Sequence, residues 1–199
     1  PHTWSGWLLG SEGKLEELLV PPPVARLGII GGTGLGAALA RRTQGTTHEL
    51  DTPFGKPSGP IITTQFDSTP VAFLARHGPG HLLNPSAVPY RANIWALKQL
   101  GVTHIIASGA CGSLCADIEP GRLVVPDQLI DKTFKRPASF FDEHLAVHVD
   151  FAYPFCNRVR RLLLEAADKI ALPVHPGGTY LCMEGPQFST RAESLLHRA

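Results

Sequence analysis

The sequence predicts an α/β fold, and three observations predict it. A short apolar run, Leu27-Gly28-Ile29-Ile30, ends in the glycine-rich turn Gly31-Gly32-Thr33-Gly34 and leads into a helical stretch over 35–40. A second unit reads helix over 90–100, stop at Gly101, and buried strand over 102–107. The 199 residues amount to about one domain, and 43% hydrophobic with 18% charged residues fits a soluble globular core.

Taken in order, residues 1–25 stand apart. They hold Trp4 and Trp7, a short helical pattern at Leu15, Leu18 and Leu19, and then Pro21-Pro22-Pro23, a stiff extended spacer. We read them as an N-terminal appendage with a proline-rich linker, and 26–199 as the folded domain. The chain starts without methionine, which suggests processing or an incomplete chain.

The strand–turn–helix at 27–40 leaves free backbone N–H groups at a helix start, an arrangement that suits an anion. Thr33 adds a hydroxyl donor. The spacing is neither Gly-x-Gly-x-x-Gly with a distal acid nor a run ending in Gly-Lys-Ser/Thr, so dinucleotides and nucleoside triphosphates are poor candidates. A ligand-free junction is the alternative.

Strands follow over 46–50, 61–66 and 71–75, with a loop at 51–60 too rich in proline and glycine for a ladder. Val71-Ala72-Phe73-Leu74-Ala75 runs into Arg76-His77-Gly78, which puts a planar cation and an imidazole at a strand's end, the ligand edge of such sheets. A salt-bridged Arg and a capping His are the alternative. The helix over 90–100 buries Ile94, Trp95 and Leu97. The strand over 102–107 ends in Ser108-Gly109-Ala110-Cys111-Gly112-Ser113, whose small side chains allow close approach to the backbone.

Strands over 123–125 and 128–130 come next. Residues 132–155 then lack periodicity, as a lid or partner contact does. A helix over 157–170, apolar at Val159, Leu162, Leu163 and Ala166, precedes a strand over 178–183. Thr190 and Glu193 form a capping box for a last helix. That helix reaches Ala199 with no following strand and looks cut off.

Composition excludes several classes. A net charge of +1 gives no electrostatic case for nucleic acid or an anionic membrane. No apolar run approaches the roughly 20 residues of a membrane span. No secretory signal is expected, because the N-terminus lacks a basic region followed by an apolar core. Cys111, Cys115, Cys156 and Cys182 show neither zinc spacing nor Cys-x-x-Cys, so reduced thiols are expected. His77 and His81 sit four apart, yet Gly78-Pro79-Gly80 breaks the helix such a metal pair needs, and no metal site is expected. A nucleophilic Cys111 lacks a neighbouring base in the sequence.

Six motifs occur in order over 26–199: Ile29-Ile30-Gly31-Gly32-Thr33-Gly34, Asp51-Thr52-Pro53-Phe54-Gly55, Leu74-Ala75-Arg76-His77-Gly78, Tyr90-Arg91-Ala92-Asn93-Ile94-Trp95-Ala96-Leu97-Lys98, Gly109-Ala110-Cys111-Gly112-Ser113 and Glu184-Gly185-Pro186-Gln187-Phe188-Ser189. Together they resemble the methylthioadenosine phosphorylase branch of the purine nucleoside phosphorylase family. The resemblance implies a cytosolic α/β enzyme with a mixed central sheet flanked by helices, a homotrimer that cleaves 5′-methylthioadenosine or a related purine nucleoside with inorganic phosphate. No cofactor is implied, since phosphate is a co-substrate.

By the same resemblance, Thr33, Arg76, His77, Gly109 and Ala110 are phosphate contacts, with Gly109 standing where some relatives carry Thr. Phe188 packs on the purine, Met183 and Glu184 flank the pocket with Glu184 on the ribose, and His81 lies near ribose or phosphate. His148 matches a residue given to the neighbouring subunit's pocket. An Asn-Met-Thr strand and an aspartate facing the purine are expected beyond Ala199, so no catalytic residue is assigned within the chain. A 6-oxopurine nucleoside phosphorylase and a catalytically inactive phosphate- or nucleoside-binding fragment are the alternative readings.

Overall fold

The structure, a computed structural model, describes residues 26–32, 45–141 and 145–198. The appendage 1–25, Thr33 and the helix expected at 35–40 lie outside the described residues.

Five strands form one sheet in the order β2-β3-β4-β1-β5: β1 (Leu27–Gly31), β2 (Thr46–His48), β3 (Ile61–Phe66), β4 (Thr69–Ala75) and β5 (His104–Ala107). β1 runs parallel to β4 and β5, whereas β3 is antiparallel to β2 and β4. The sheet is therefore mixed. The β3–β4 hairpin turns through Asp67 at φ 52°, a left-handed conformation that Asp tolerates better than most residues.

Helix α1 (Tyr90–Gln99) lies on one face of this sheet. Ile30, Ile61, Ala72, Leu74, Ala96, Leu97, Leu100 and Val102 close into one apolar core. A Cβ on Gly28 would come within 2.9 Å of Val102 Cγ1 and 3.6 Å of Leu97 Cδ1, so glycine sets how closely the helix approaches β1. The helix ends in a Schellman turn: Gly101, at φ 82°, donates to Lys98 O at 2.9 Å and Val102 donates to Leu97 O at 3.1 Å.

Two expectations are corrected here. The buried side of α1 is Ala92, Asn93, Ala96 and Leu97, while Ile94 faces outward and Trp95 is half-buried. The small alanines let the helix sit close, which rotates Ile94 away from the sheet. The strand before Ser108 is an exposed edge, with His104 and Ile105 open, because β5 pairs on one side only among the described residues.

Downstream, β6 (Leu123–Val124) pairs in parallel with β8 (Val174–His175), and β7 (Gln128–Lys132) with β9 (Thr179–Met183). β8 has no counterpart in the sequence reading. Helix α2 (Asn157–Lys169) is braced by Arg160, whose Nε donates to Pro126 O at 2.7 Å. Its apolar stripe is only partly covered, and Leu162 stays exposed. Helix α3 (Arg191–Arg198) starts with the reciprocal capping box: Thr190 N–H donates to Glu193 Oε2 at 2.7 Å, and Glu193 N–H to Thr190 Oγ1 at 3.2 Å.

The end of α2 repeats the Schellman pattern without glycine. Leu172 N–H donates to Ala167 O at 2.9 Å, but the left-handed position is Ala171 at φ 50°. A Cβ there costs about 1 kcal/mol. Ala171→Gly is expected to stabilise the protein by about that amount, read as a higher urea midpoint at unchanged slope. A lower midpoint would mean that the methyl group packs usefully.

Candidate functional site

Because β1, β4 and β5 are parallel, they deliver their C-terminal ends to one edge. Arg76 N–H donates to Gly31 O at 3.0 Å, and Ser108 N–H to Ile30 O at 2.9 Å, so the three loops leave side by side. Arg76 spans them. Its Nη1 donates to Ser108 O at 3.0 Å, and its Nη2 would lie 3.1 Å from a Cβ on Gly32 and 3.8 Å from one on Gly109. Small residues on both sides thus leave room for a half-buried guanidinium at an edge where backbone N–H groups also emerge. A guanidinium so placed can receive an oxyanion. Gly109 and Ala110 are exposed beside it, whereas Thr33 lies outside the described residues.

His77 and His81 stack with ring centroids 4.3 Å apart. His77 Nδ1 sits 2.7 Å from Leu83 O, and Arg76 Nε donates to His77 Nε2 at 3.4 Å. With a proton on Nδ1 the ring donates to Leu83 O while Nε2 accepts from Arg76. The loop carrying these groups is packed from beneath. Gly78, at φ 74°, lies against Ser58 O, and the buried Ser58 is held by Asn93 of α1 through Ser58 N–H to Oδ1 at 2.8 Å and Nδ2 to Ser58 Oγ at 2.9 Å.

A second charged centre lies at the end of β9. Glu184 is 4% exposed. Its carboxylate accepts from the Ser86 hydroxyl, from Phe134 N–H at 2.8 Å and from Lys135 N–H at 3.1 Å, and Arg136 Nε stands 3.7 Å from Oε1. These interactions engage both oxygens from within the chain. The residue expected on the ribose is here a junction of three segments. Arg136 also donates from Nη2 to Met183 O at 3.2 Å and Glu184 O at 3.0 Å, and its guanidinium lies 5.0 Å above the Tyr90 ring.

Tyr90 and Tyr180 lie within the electrostatic reach of both cationic centres. Burial raises each phenol above its ordinary range, while Arg136 and Arg76 oppose the shift. Sequence reasoning missed Arg136, Ser86 and Tyr180 as site residues. The first sits in an aperiodic stretch, and its partners are 46 to 48 residues away.

The remaining expected residues are less enclosed. Met183 lines the strand end, with Ser189 Oγ 3.9 Å from its sulfur. Phe188 is 92% exposed, and His148 and Cys111 are exposed as well. The irregular segment divides in two. Phe140 packs edge-on to Phe54 at 5.3 Å, and Arg91 Nη1 donates to Ser139 O at 3.2 Å, so its first part is pinned to its own chain. Val149, Phe151 and Tyr153 of the second part are open. Among the described residues no three His, Cys, Asp or Glu side chains gather as metal ligands, and no helix is long and apolar enough to cross a membrane.

The Ser86 hydroxyl bond, followed by the Phe134 amide, holds Glu184 at about 2 against burial, with Lys135 N–H and Arg136 assisting. Since the folded value lies below the ordinary 4.5, ionised Glu184 contributes stability that is complete above that value and is lost as pH falls through about 2. Glu184→Gln keeps the shape and removes the charge. Its deficit in urea midpoint against the parent protein should be full near neutrality and shrink steadily across that acid range. A gap independent of pH would contradict the assignment.

The model of the Phosphorylase superfamily matches residues 26–199. The chain is 49% identical over 173 residues to the S-methyl-5′-thioadenosine phosphorylase of Cereibacter sphaeroides, covering 87% of this chain and 59% of that protein. It is 48% identical over 180 residues to the corresponding protein of Hyperthermus butylicus, covering 89% of this chain and 65% of that one. The chain thus spans less than two thirds of these relatives. Among solved structures, a double mutant of the adenosine/methylthioadenosine phosphorylase from Schistosoma mansoni in complex with adenine superposes with a TM-score of 0.83 at 39% identity, over 87% of this chain and 68% of that one. A single mutant of the same enzyme in complex with methylthioadenosine gives 0.82 at 39%, over 87% and 68%. With its mixed sheet, its cationic strand edge and this match over 26–199, the chain belongs to the phosphorylase superfamily.

Proposed function

We propose that the chain forms the phosphate- and nucleoside-binding part of a cytosolic enzyme that phosphorolyses 5′-methylthioadenosine to adenine and 5-methylthioribose 1-phosphate. The observation that carries this is Arg76, set between Gly32 and Gly109 at the end of three parallel strands. A phosphate there receives the guanidinium fork and the backbone N–H groups of the 109–110 turn. His77 and His81 lie at the same edge, and the family resemblance adds Thr33 to the phosphate contacts. One phosphate oxygen attacks C1′ while the bond from C1′ to the purine breaks. The electron pair leaves with the base, which takes up the proton that the attacking hydrogen phosphate gives up. Met183 and Phe188 receive the nucleoside, Glu184 holds the pocket's frame, and neither a cofactor nor a metal takes part. The names of the matched relatives support the amino-purine substrate over a 6-oxopurine one.

The test is phosphate dependence in the intact protein. Base release should require phosphate, yield the sugar 1-phosphate and withstand a chelator. Arg76→Ala should weaken phosphate binding by about tenfold to a hundredfold, the worth of a charge-assisted hydrogen bond or two. Free methylthioribose formed without phosphate would make the protein a hydrolase, and nucleoside binding without turnover would make it a binding module.

The second part of the irregular segment supports self-association, because Val149, Phe151 and Tyr153 form an apolar stretch costly to leave in water, and the family resemblance makes the assembly a homotrimer. His148 would then serve a neighbour's pocket. His148→Ala should raise KM for methylthioadenosine several-fold and leave that for phosphate nearly unchanged. A fully active monomer in sedimentation would rule this out.

A further inference from the structure

We infer that Arg136 is a positioning residue for the nucleoside pocket, fixing the end of β9 by holding two consecutive main-chain carbonyls and the Glu184 carboxylate at once. The inference rests on the proposed nucleoside role of Met183 and Phe188, and it adds a residue which that reading does not contain.

The guanidinium of Arg136 meets β9 at several points. Nη2 donates to Met183 O at 3.2 Å and to Glu184 O at 3.0 Å, Nη1 approaches Cys182 Sγ at 3.5 Å, and Nε faces Glu184 Oε1 at 3.7 Å. Only a planar fork reaches these positions together; an ammonium group is a single point of charge. The Arg136 and Glu184 side chains are 16% and 3% exposed. Water therefore competes little for these bonds, and a missing partner would leave buried polar groups unmet.

The clamp extends beyond β9. Glu184 reaches Ser86, Tyr90 O–H donates to Pro85 O at 2.8 Å, and the Arg136 guanidinium covers the Tyr90 ring. Just past the clamp the chain turns at Gly185, at φ 73°, where a Cβ would lie 3.5 Å from Pro85 Cγ. Met183 and the approach to Phe188 thus take their direction from a strand end that Arg136 holds against the start of α1. The fork is turned to carbonyls and a carboxylate, so Arg136 is not a second phosphate ligand. A shift of about 1 Å in a substrate-positioning group can cost about a hundredfold.

The experiment compares Arg136→Lys, Arg136→Met and the double variant Arg136→Met with Glu184→Gln in the intact protein. KM for methylthioadenosine should rise about tenfold to a hundredfold in all three, with KM for phosphate within about threefold of the parent. Lysine keeps a positive charge near Glu184 without the bidentate reach, and so should give only partial rescue. The double variant removes the uncompensated buried charge. It should regain thermal stability over Arg136→Met while its nucleoside KM stays high. Recovery of that KM together with stability would reduce Arg136 to a counter-ion and overturn the inference, as would an equal rise in phosphate KM.

Amide hydrogen exchange needs no substrate and separates failure of this inference from failure of the functional reading. Exchange over 182–188 should accelerate at least about tenfold in Arg136→Lys while 71–78 stays unchanged. Unchanged protection at 182–188 would overturn the inference even in an active enzyme. Faster exchange there alongside an inactive parent protein would sustain the clamp and discard the phosphorylase reading.

Discussion

Parallel pairing of β1 with both β4 and β5 is the constraint on which the molecule depends. It sends Gly31, Ala75 and Ala107 to the same edge, so that 31–32, 76–81 and 108–113 form one rim from segments far apart in sequence. The register Ile30↔Leu74 and Ile30↔Ala107 places their ends level. Gly28 supports the same arrangement from below, since the closeness of α1 to β1 lets Leu97 and Val102 close the core beneath the rim. The meeting of these loops at one edge is thus a consequence of strand direction before it is a consequence of any side chain. Arg76 supplies the charge.

Two cationic centres, Arg76 and Arg136, differ in what surrounds them. Arg76 lies half-buried between Gly32 and Gly109, with Nη1 donating to Ser108 O and Nε to His77 Nε2. Arg136 turns Nη2 to two carbonyls and holds its Nε, which has no hydrogen-bond partner, 3.7 Å from the Glu184 carboxylate, which makes it part of the frame. Burying Glu184 is tolerable only because both oxygens are met by donors; an isolated carboxylate in that position would protonate instead. Asn93 and Ser58 do for the Arg76 loop what Glu184 does for β9. Each uses one buried polar pair to lock a loop to α1 or its approach, and each acts across a long sequence separation of 35 or 98 residues.

That separation explains what was legible in the sequence. Features set by near neighbours could be read: the strand over 61–66, the glycine stop after α1, and the Thr190–Glu193 capping box. Arg76 could be placed because a buried apolar run ends immediately before it. The face of α1 was misread because periodicity gives a stripe but not its centre; Ala92 and Ala96 drew the helix in and turned Ile94 out. β8 is two residues long, too short for any pattern. Arg136 and Ser86 were invisible as site residues because nothing local marks them. The stretch around Arg136 looked like a free lid, yet its first part is tied down by Phe54, Arg91 and Glu184.

The two halves of the fold are held by different forces. The five-stranded sheet, α1 and the residues flanking that helix contain nearly all of the buried apolar side chains, whereas beyond His104 only Ala167 and Glu184 are buried among the described residues. Apolar burial, at about 25 cal/mol per Å², is therefore concentrated in the first half. The second is assembled from directional contacts: Arg160 to Pro126 O and Pro176 O, Gly178 N–H to Asp127, Gln128 to Ala152 O, and the Arg136–Glu184 clamp. Each of these contributes only about 1 kcal/mol, a little more where a charge takes part, but each fixes an angle as well as a distance. Such a half gains orientation more than stability. That suits a region whose work is to set the direction of side chains such as Met183 and Phe188, while the well-packed half holds Arg76 against a rigid edge.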